Sequence, residues 1–241
     1  MSRRWLFWPT AAAPYEANPV DFDGTNDYLT RDAGLTDAAD SKLLTGSFWY
    51  KKDVNNSAQR LFVANSFDFG IQFTAGNALQ IVAEDLSGNQ DLNVTDTGHT
   101  DTTSWHHVMF SFDMADTGNR HVYLDGADAA PSYDTYNNDT LDFTQANWAV
   151  GATTTAGAKY NGQLADLAMW FGVYVDLSQE ANRELFIVDG KPVDRTIPAA
   201  ALGTPIVALG GPTDSWHTND GSGGGFTENG ALTDGTGPVE L

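Results

Sequence analysis

The chain has 241 residues, enough for one good core, and 41% hydrophobic and 12% aromatic residues to fill it. Its 32 Asp and Glu against 12 Lys and Arg give a formal charge of −20, a field that repels phosphate and so excludes nucleic acid and anionic membrane surfaces as partners. With no cysteine, disulfides, thiolate nucleophiles and Cys-based zinc sites are excluded too.

Only six of the acids are glutamates and 26 are aspartates. Glu suits helices, whereas Asp hydrogen-bonds its own backbone and belongs in turns. With 24 glycines, this composition describes decorated loops on a β protein. The charge reads first as solubility, and second as loop carboxylates able to capture calcium.

Residues 1–18 read as a docking arm. Trp5, Phe7 and Trp8 are too apolar for a solvated tail, and Pro9, Pro14 and Pro19 keep the segment out of regular structure. The apolar run before Pro9 is about four residues, short of the roughly 7–15 of a signal peptide, which predicts synthesis in the cytoplasm without one. No stretch approaches the ~20 apolar residues of a membrane span, so no membrane insertion is expected.

From Val20 short strands follow one another. Val20–Asp23 leads into a Gly24-Thr25-Asn26 turn, and residues 27–30 continue it. Residues 46–52 alternate, as do 67–73, with Phe67, Phe69, Ile71 and Phe73 on one face. Gly76-Asn77 marks a hairpin ahead of Leu79. His106, Val108, Phe110 and Phe112 share one face of the next strand, with Trp105, His107, Met109 and Ser111 on the other. Residues 127–146 are polar and read as a long surface loop. Strands around 148–151 and 164–175 follow. Leu177, Ala181, Leu185 and Val188 at helical spacing predict one short helix near 178–189, with Ser178 as N-cap and Gly190 as terminator. Beyond 191, Pro, Gly, Asn and Asp are dense, and only 205–209 has strand character. Residues 191–241 read as an extension that wraps or docks.

Several blocks together carry a family resemblance. Phe22-Asp23-Gly24-Thr25-Asn26-Asp27-Tyr28-Leu29, Ser47-Phe48-Trp49-Tyr50, Trp105-His106-His107-Val108-Met109-Phe110, His121-Val122-Tyr123-Leu124-Asp125-Gly126 and Tyr160-Asn161-Gly162-Gln163-Leu164-Ala165-Asp166-Leu167 stand in the order found in laminin-G-like, concanavalin A-like domains. The resemblance covers about residues 20–190. It implies an all-β, concanavalin A-like jelly-roll sandwich of two antiparallel sheets over 19–190. It also implies neighbouring first and last strands, and a calcium ion held near Asp23 and Asp166; the alternative is that Asp23 merely makes a turn and Asp166 caps a strand or pairs with a cation. The stretch from Trp216 through Phe226 to Gly230 resembles the end of laminin-G-like structural proteins of tailed phages. This implies a virion location, other virion proteins as partners, and a symmetric homo-oligomer, most simply a trimer. In that setting Trp5, Phe7, Trp8, Trp216 and Phe226 are the expected assembly contacts.

Enzymes of this fold class cleave polysaccharides. A retaining glycosidase needs two carboxylates about 5 Å apart on one face. The six glutamates are scattered, and Glu84-Asp85, adjacent on a strand, point to opposite faces. His106 and His107 likewise point apart and cannot share a metal, while a pair of one of them with His121 across the strands stays open. No catalytic residue is expected, and the chain reads as non-enzymatic. A sugar-binding alternative, directed at a cell-surface glycan, places Tyr133, Tyr136, Asn137 and Asn138 of the long loop in contact with ligand, unless that loop is a structural lid.

Overall fold

A computed structural model describes residues 15–238 of the chain; Trp5, Phe7 and Trp8 of the expected docking arm lie outside the described residues. The elements in order are β1 (Val20–Asp23), β2 (Tyr28–Arg31), β3 (Leu43–Lys52), β4 (Gln59–Ala64), β5 (Phe69–Phe73), β6 (Leu79–Glu84), β7 (Gln90–Asp96), β8 (His106–Asp113) and β9 (Arg120–Leu124). Then come β10 (Ala127–Asp128), β11 (Ser132–Tyr136), β12 (Trp148–Val150), β13 (Asn161–Phe171), α1 (Glu180–Arg183), β14 (Ile187–Val188), β15 (Lys191–Pro192), α2 (Thr196–Leu202), β16 (Val207–Leu209), β17 (Thr227–Asn229) and β18 (Thr233–Asp234). Among the described residues no helix is long and apolar enough to cross a membrane.

Two antiparallel sheets face each other. The first runs β10-β9-β8-β3-β13-β1-β18, with β16 also beside β13; the second runs β11-β7-β6-β5-β4-β12-β2-β17. Alternation decides which side chains meet between them. Phe48 and Tyr50 of β3 and Val108, Phe110 and Phe112 of β8 point inward, against Phe69, Ile71 and Phe73 of β5, Ile81 of β6 and Trp148 of β12. Each is essentially fully buried, worth about 1.5–3 kcal/mol apiece.

The first sheet has a second layer outside it. Trp49, Met109, Tyr123, Ala168 and Trp170 point away from the main core and are buried under Ala17, Val175, Leu177, Phe186 and Ile187. The segment after β13 therefore folds back as a cap on that face.

The cap corrects the expected 178–189 helix. Only Glu180–Arg183 is helical, with Gln179 rather than Ser178 at its N-cap position, and Ile187–Val188 pairs with Lys191–Pro192. Asp189 and Gly190 have φ of 50° and 73°, both positive as a two-residue type I′ hairpin turn requires, so Gly190 turns a hairpin and ends no helix. A seven-residue helix, α2, stands instead where the extension was expected to lack one.

The long surface loop is corrected as well. It contains β10 and β11, and β11 is the edge strand of the second sheet, with Tyr133 opposite Val94 and Tyr136 opposite Leu92. Leu141 and Phe143, farther along, are completely buried.

The C-terminal segment docks along the domain's own two sheets. Its β16 and β18 extend the first sheet and its β17 closes the edge of the second. Trp216 is fully buried, its ring edge-on to Phe22 at 6.1 Å, and Phe226 is 5% exposed in the same core. Both side chains are spent inside their own domain, so their expected role as assembly contacts is withdrawn.

Candidate functional site

The cap covers the first sheet; the outer face of the second buries Val63 and Val82 and carries a partly exposed polar row. Its strands place apolar residues inward and leave alternate positions outward. Gln72 of β5 stands opposite Gln80 of β6, and Arg60 of β4 stands opposite Gln72. These side chains form a polar row across four strands. Gln72 Nε2 donates to Gln80 Oε1, Gln80 Nε2 donates to Asn93 Oδ1 at 3.0 Å, and Asn93 Nδ2 donates to Gln90 Oε1 at 3.0 Å. Each planar amide has a second hydrogen or lone pair beyond the bond that aligns it, which can meet a ligand hydroxyl.

An aromatic lies at one end of the row. Phe67, in the turn between β4 and β5, has φ of 113°, a strained value for a bulky residue. Its ring lies where a Cβ on Gly70 would be, so glycine there makes room for it on the sheet. The Arg60 guanidinium carbon is 3.9 Å from the Phe67 ring centroid. Arg60 Nε and Nη1 have no hydrogen-bond partner in the protein, and burial pulls the guanidinium pKa down from its ordinary value. The face thus carries an arginine whose Nε and Nη1 are sealed from solvent, a stacked ring and a row of amides.

The tyrosines and asparagines expected to hold a glycan are engaged elsewhere. Tyr133 and Tyr136 pack against the main core from β11, with the Arg120 guanidinium 4.1 Å and 5.4 Å from their ring centroids. Their hydroxyls donate to the backbone oxygens of Arg120 and Asp113. Asn137 Nδ2 donates to Asp91 Oδ1, and Asn138 Oδ1 accepts from Lys42 Nζ. The two tyrosines thus clasp the sheet edge, while Asn137 and Asn138 are exposed.

The expected calcium pair does not assemble. Asp23 stands opposite Asn161 on β13, five residues from Asp166 and so roughly 16 Å along the strand. Asp23 Oδ1 accepts N–H groups of Thr25, Asn26 and Asp27, which hold its carboxyl below the usual range: it makes a turn. Asp166 has φ of 48° at an irregularity in the β13–β3 ladder and is buried beneath the cap. It accepts from Tyr15 Oη at 3.0 Å and lies 3.5 Å from Arg195 Nε, the cation pairing that was the alternative. Burial pushes its pKa up to about 7, with Arg195 limiting the rise. These residues do not fit a calcium ion.

The histidines are equally separate. His106 Nδ1 is 2.7 Å from Asp125, His107 Nε2 is 2.8 Å from Ser47 Oγ, and His121, opposite Ser111, bonds Tyr174. The pairing of His121 with His106 or His107 does not occur.

Sequence reasoning missed Arg60, Phe67, Gln72, Gln80 and Asn93. The usable signal was Gln at the non-core positions of two successive apolar strands, Phe69-x-Ile71-Gln72-Phe73 and Leu79-Gln80-Ile81, joined by a short hairpin.

Residues 23–175, more than half of the chain, match the family model described as the concanavalin A-like lectin/glucanases superfamily, and the chain belongs to that superfamily. Among solved structures, a candidate carbohydrate binding protein from Bacteroides ovatus superposes with a TM-score of 0.63 at 16% identity, over 92% of this chain and 61% of that one. The heptameric SAP-like pentraxin from Limulus polyphemus superposes with a TM-score of 0.51 at 15% identity, over 69% of this chain and 82% of that one. The chain therefore spans about three fifths of the length of the first of these. At these identities the likeness concerns the fold. No curated protein sequence matches the chain.

Proposed function

We propose that the chain is a non-enzymatic recognition module of a tailed-phage virion, in capsid decoration or the tail, which binds cell-surface glycan on the outer face of its second sheet. The observation that carries the glycan reading is the Arg60–Gln72–Gln80–Asn93 row beside Phe67, on the outer face of the second sheet. Sugars are held by aromatic faces and planar polar groups on shallow surfaces, and this face offers both. The fold relative from Bacteroides ovatus is itself described as a candidate carbohydrate binding protein, which agrees with this reading. The virion placement rests on the resemblance of residues 216–230 to phage structural proteins.

The carboxylates near this face support a binding rather than a hydrolytic role. Burial, and then the charges of Asp68 and Asp85, raise the Glu84 pKa. Both neighbours are already spent, since Asp85 accepts from Ser87 and Asn89 and Asp68 accepts from Asn65. Neither Asp68 nor Asp85 is therefore free to act as nucleophile or base opposite Glu84.

The test is a glycan array followed by calorimetry on the best ligand, with Arg60→Ala and Gln80→Ala variants that keep the wild-type circular dichroism spectrum. Affinity falling at least about tenfold in each supports the reading; unchanged affinity in both overturns it. Release of reducing sugar from the ligand would overturn the non-enzymatic assignment. Mass spectrometry of purified particles tests the virion placement, which fails if the chain is absent from them.

A further inference from the structure

The cap helix α2 is apolar on both of its sides. Pro198 is buried, and Leu202, one turn farther on, packs on the second core with Trp170. Ile197, Ala200 and Ala201 stand at i, i+3 and i+4 on the opposite side. Ile197 is 48% exposed, and both alanines are exposed as well. A helix that is apolar all round is ordinarily covered all round, and α2 is covered on one side among the described residues. No charged residue occurs from 196 to 213, the longest such run in a chain of formal charge −20. A surface without charge on so acidic a protein is suited to burial against another apolar segment.

The described chain begins beside this helix. Tyr15 Oη donates to Asp166 at 3.0 Å, with the guanidinium of Arg195, the residue at the N-cap position of α2, next to it. The Tyr15 ring packs on the same second core as Leu202. Residues 5–13, which come just before, carry no charge and include Trp5, Leu6, Phe7 and Trp8. The seven residues of α2 extend about 10 Å. The stretch 5–13 spans about 30 Å when extended, so it can run the whole length of the helix with slack. The tether from Tyr15 is short, which holds the arm near α2 at an effective concentration on the order of millimolar, far above that of a second chain in dilute solution.

We propose that residues 5–13 lie across the outward side of α2 in the same chain, their aromatic side chains covering Ile197, Ala200 and Ala201. The arm is then a strap over the cap, fastened at Tyr15. It tightens the layer that buries Ser47, His107 and Asp166. In this position Trp5, Phe7 and Trp8 serve the chain's own cap instead of a neighbouring subunit. The strap is independent of what the second sheet binds.

The test follows hydrogen exchange of the α2 amides in the full chain in dilute solution. Wild type is compared with a Trp5→Ser/Trp8→Ser arm variant, with Ile197→Ser, and with the three changes combined. Ile197 is half exposed, so its replacement leaves the core intact. Expected is exchange at least about tenfold faster in the arm variant and in Ile197→Ser, since local opening is no longer opposed by the shared contact. The combined variant is expected to exchange no faster than either parent, because all the changes remove one contact. Unchanged exchange in the arm variant, or two effects that multiply in the combination, would overturn the proposal. So would α2 protection that fades on dilution while light scattering gives a mass above one chain, for the cover would then be the arm of a second copy.

Discussion

The Ser47 hydroxyl and His107 Nε2 are 2.8 Å apart beneath the cap, in a layer where His107 is completely buried and its Nδ1 has no partner. Burial lowers the His107 pKa to about 3, so the ring is neutral in the folded protein. An unfolded histidine binds its proton near 6.5. Between those values the unfolded state holds more protons. The stability His107 supplies is thus complete above about pH 6.5 and is lost as pH falls towards 3. His107→Gln retains an amide near Ser47 and removes this titration. Relative to the variant, the wild type is expected to lose about 2 kcal/mol between pH 6.5 and 5, measured by urea unfolding at each pH. Parallel pH profiles for the two proteins would show that His107 does not titrate in this way.

Asp166 works in the opposite direction. Its folded pKa, raised to about 7, exceeds the unfolded value near 3.9, so here the folded state binds the extra proton. Its contribution is complete below about pH 4 and is lost as pH rises through 7. Asp166→Asn is therefore expected to gain about 2–3 kcal/mol on the wild type between pH 5 and 8, read from the same unfolding curves. The two contributions oppose each other between pH 5 and 6.5, so each single variant reveals a slope that the other group masks. A gap between Asp166→Asn and wild type that does not change with pH would mean that Asp166 stays ionised throughout.

The C-terminal segment gives a stability test. Trp216 lies fully buried against Phe22, which belongs to the first strand of the domain, so the chain closes on itself through this contact. Trp216→Ala is expected to cost about 3–5 kcal/mol, as for other large-to-small changes in a core. A chain ending at residue 190 lacks β16, β17 and β18 and is expected to show no cooperative melting transition. A truncated chain melting within a few degrees of the full one would show that the C-terminal strands are ornamental.

Long alternating stretches were legible, and short or non-local ones were not. β3 and β8 read directly, because eight or more residues repeat with period two and both faces are packed. β17 and β18 have three and two residues, and their partners are β2 and β1, some two hundred positions away. No local pattern can report such pairing, and the dense glycine there looked like a linker. The supposed helix failed for a related reason. Of the four residues at helical spacing only Leu177 is buried, Ala181 and Val188 being exposed, and the cap instead buries Phe186 and Ile187 by way of a turn and a hairpin. The Asp189-Gly190 pair was the contrary signal. The site followed the same rule: Gln72 and Gln80 could be placed on one face from sequence, but Arg60 joins them through a register irregularity in β4.

Tyr136 separates a structural clasp from a ligand site. Its hydroxyl donates to the Asp113 backbone oxygen at 2.8 Å, its ring meets Phe112 and Tyr133 edge-on, and burial pushes its pKa well above the ordinary tyrosine value. Asp113 ends β8 in the first sheet and Tyr136 lies on β11 in the second, so this bond, with that of Tyr133 to Arg120 of β9, fastens the two sheets together. Tyr136→Phe deletes the donor and little else, and a typical net hydrogen bond is worth about 1 kcal/mol. The variant is expected to lose about that much stability in urea unfolding while binding the best glycan with wild-type affinity. Tyr136→Ala also empties the space beside Phe112 and is expected to cost about 3 kcal/mol or more. A Tyr136→Phe variant of unchanged stability whose glycan affinity drops tenfold would move the sugar site from the face of the sheet to its edge.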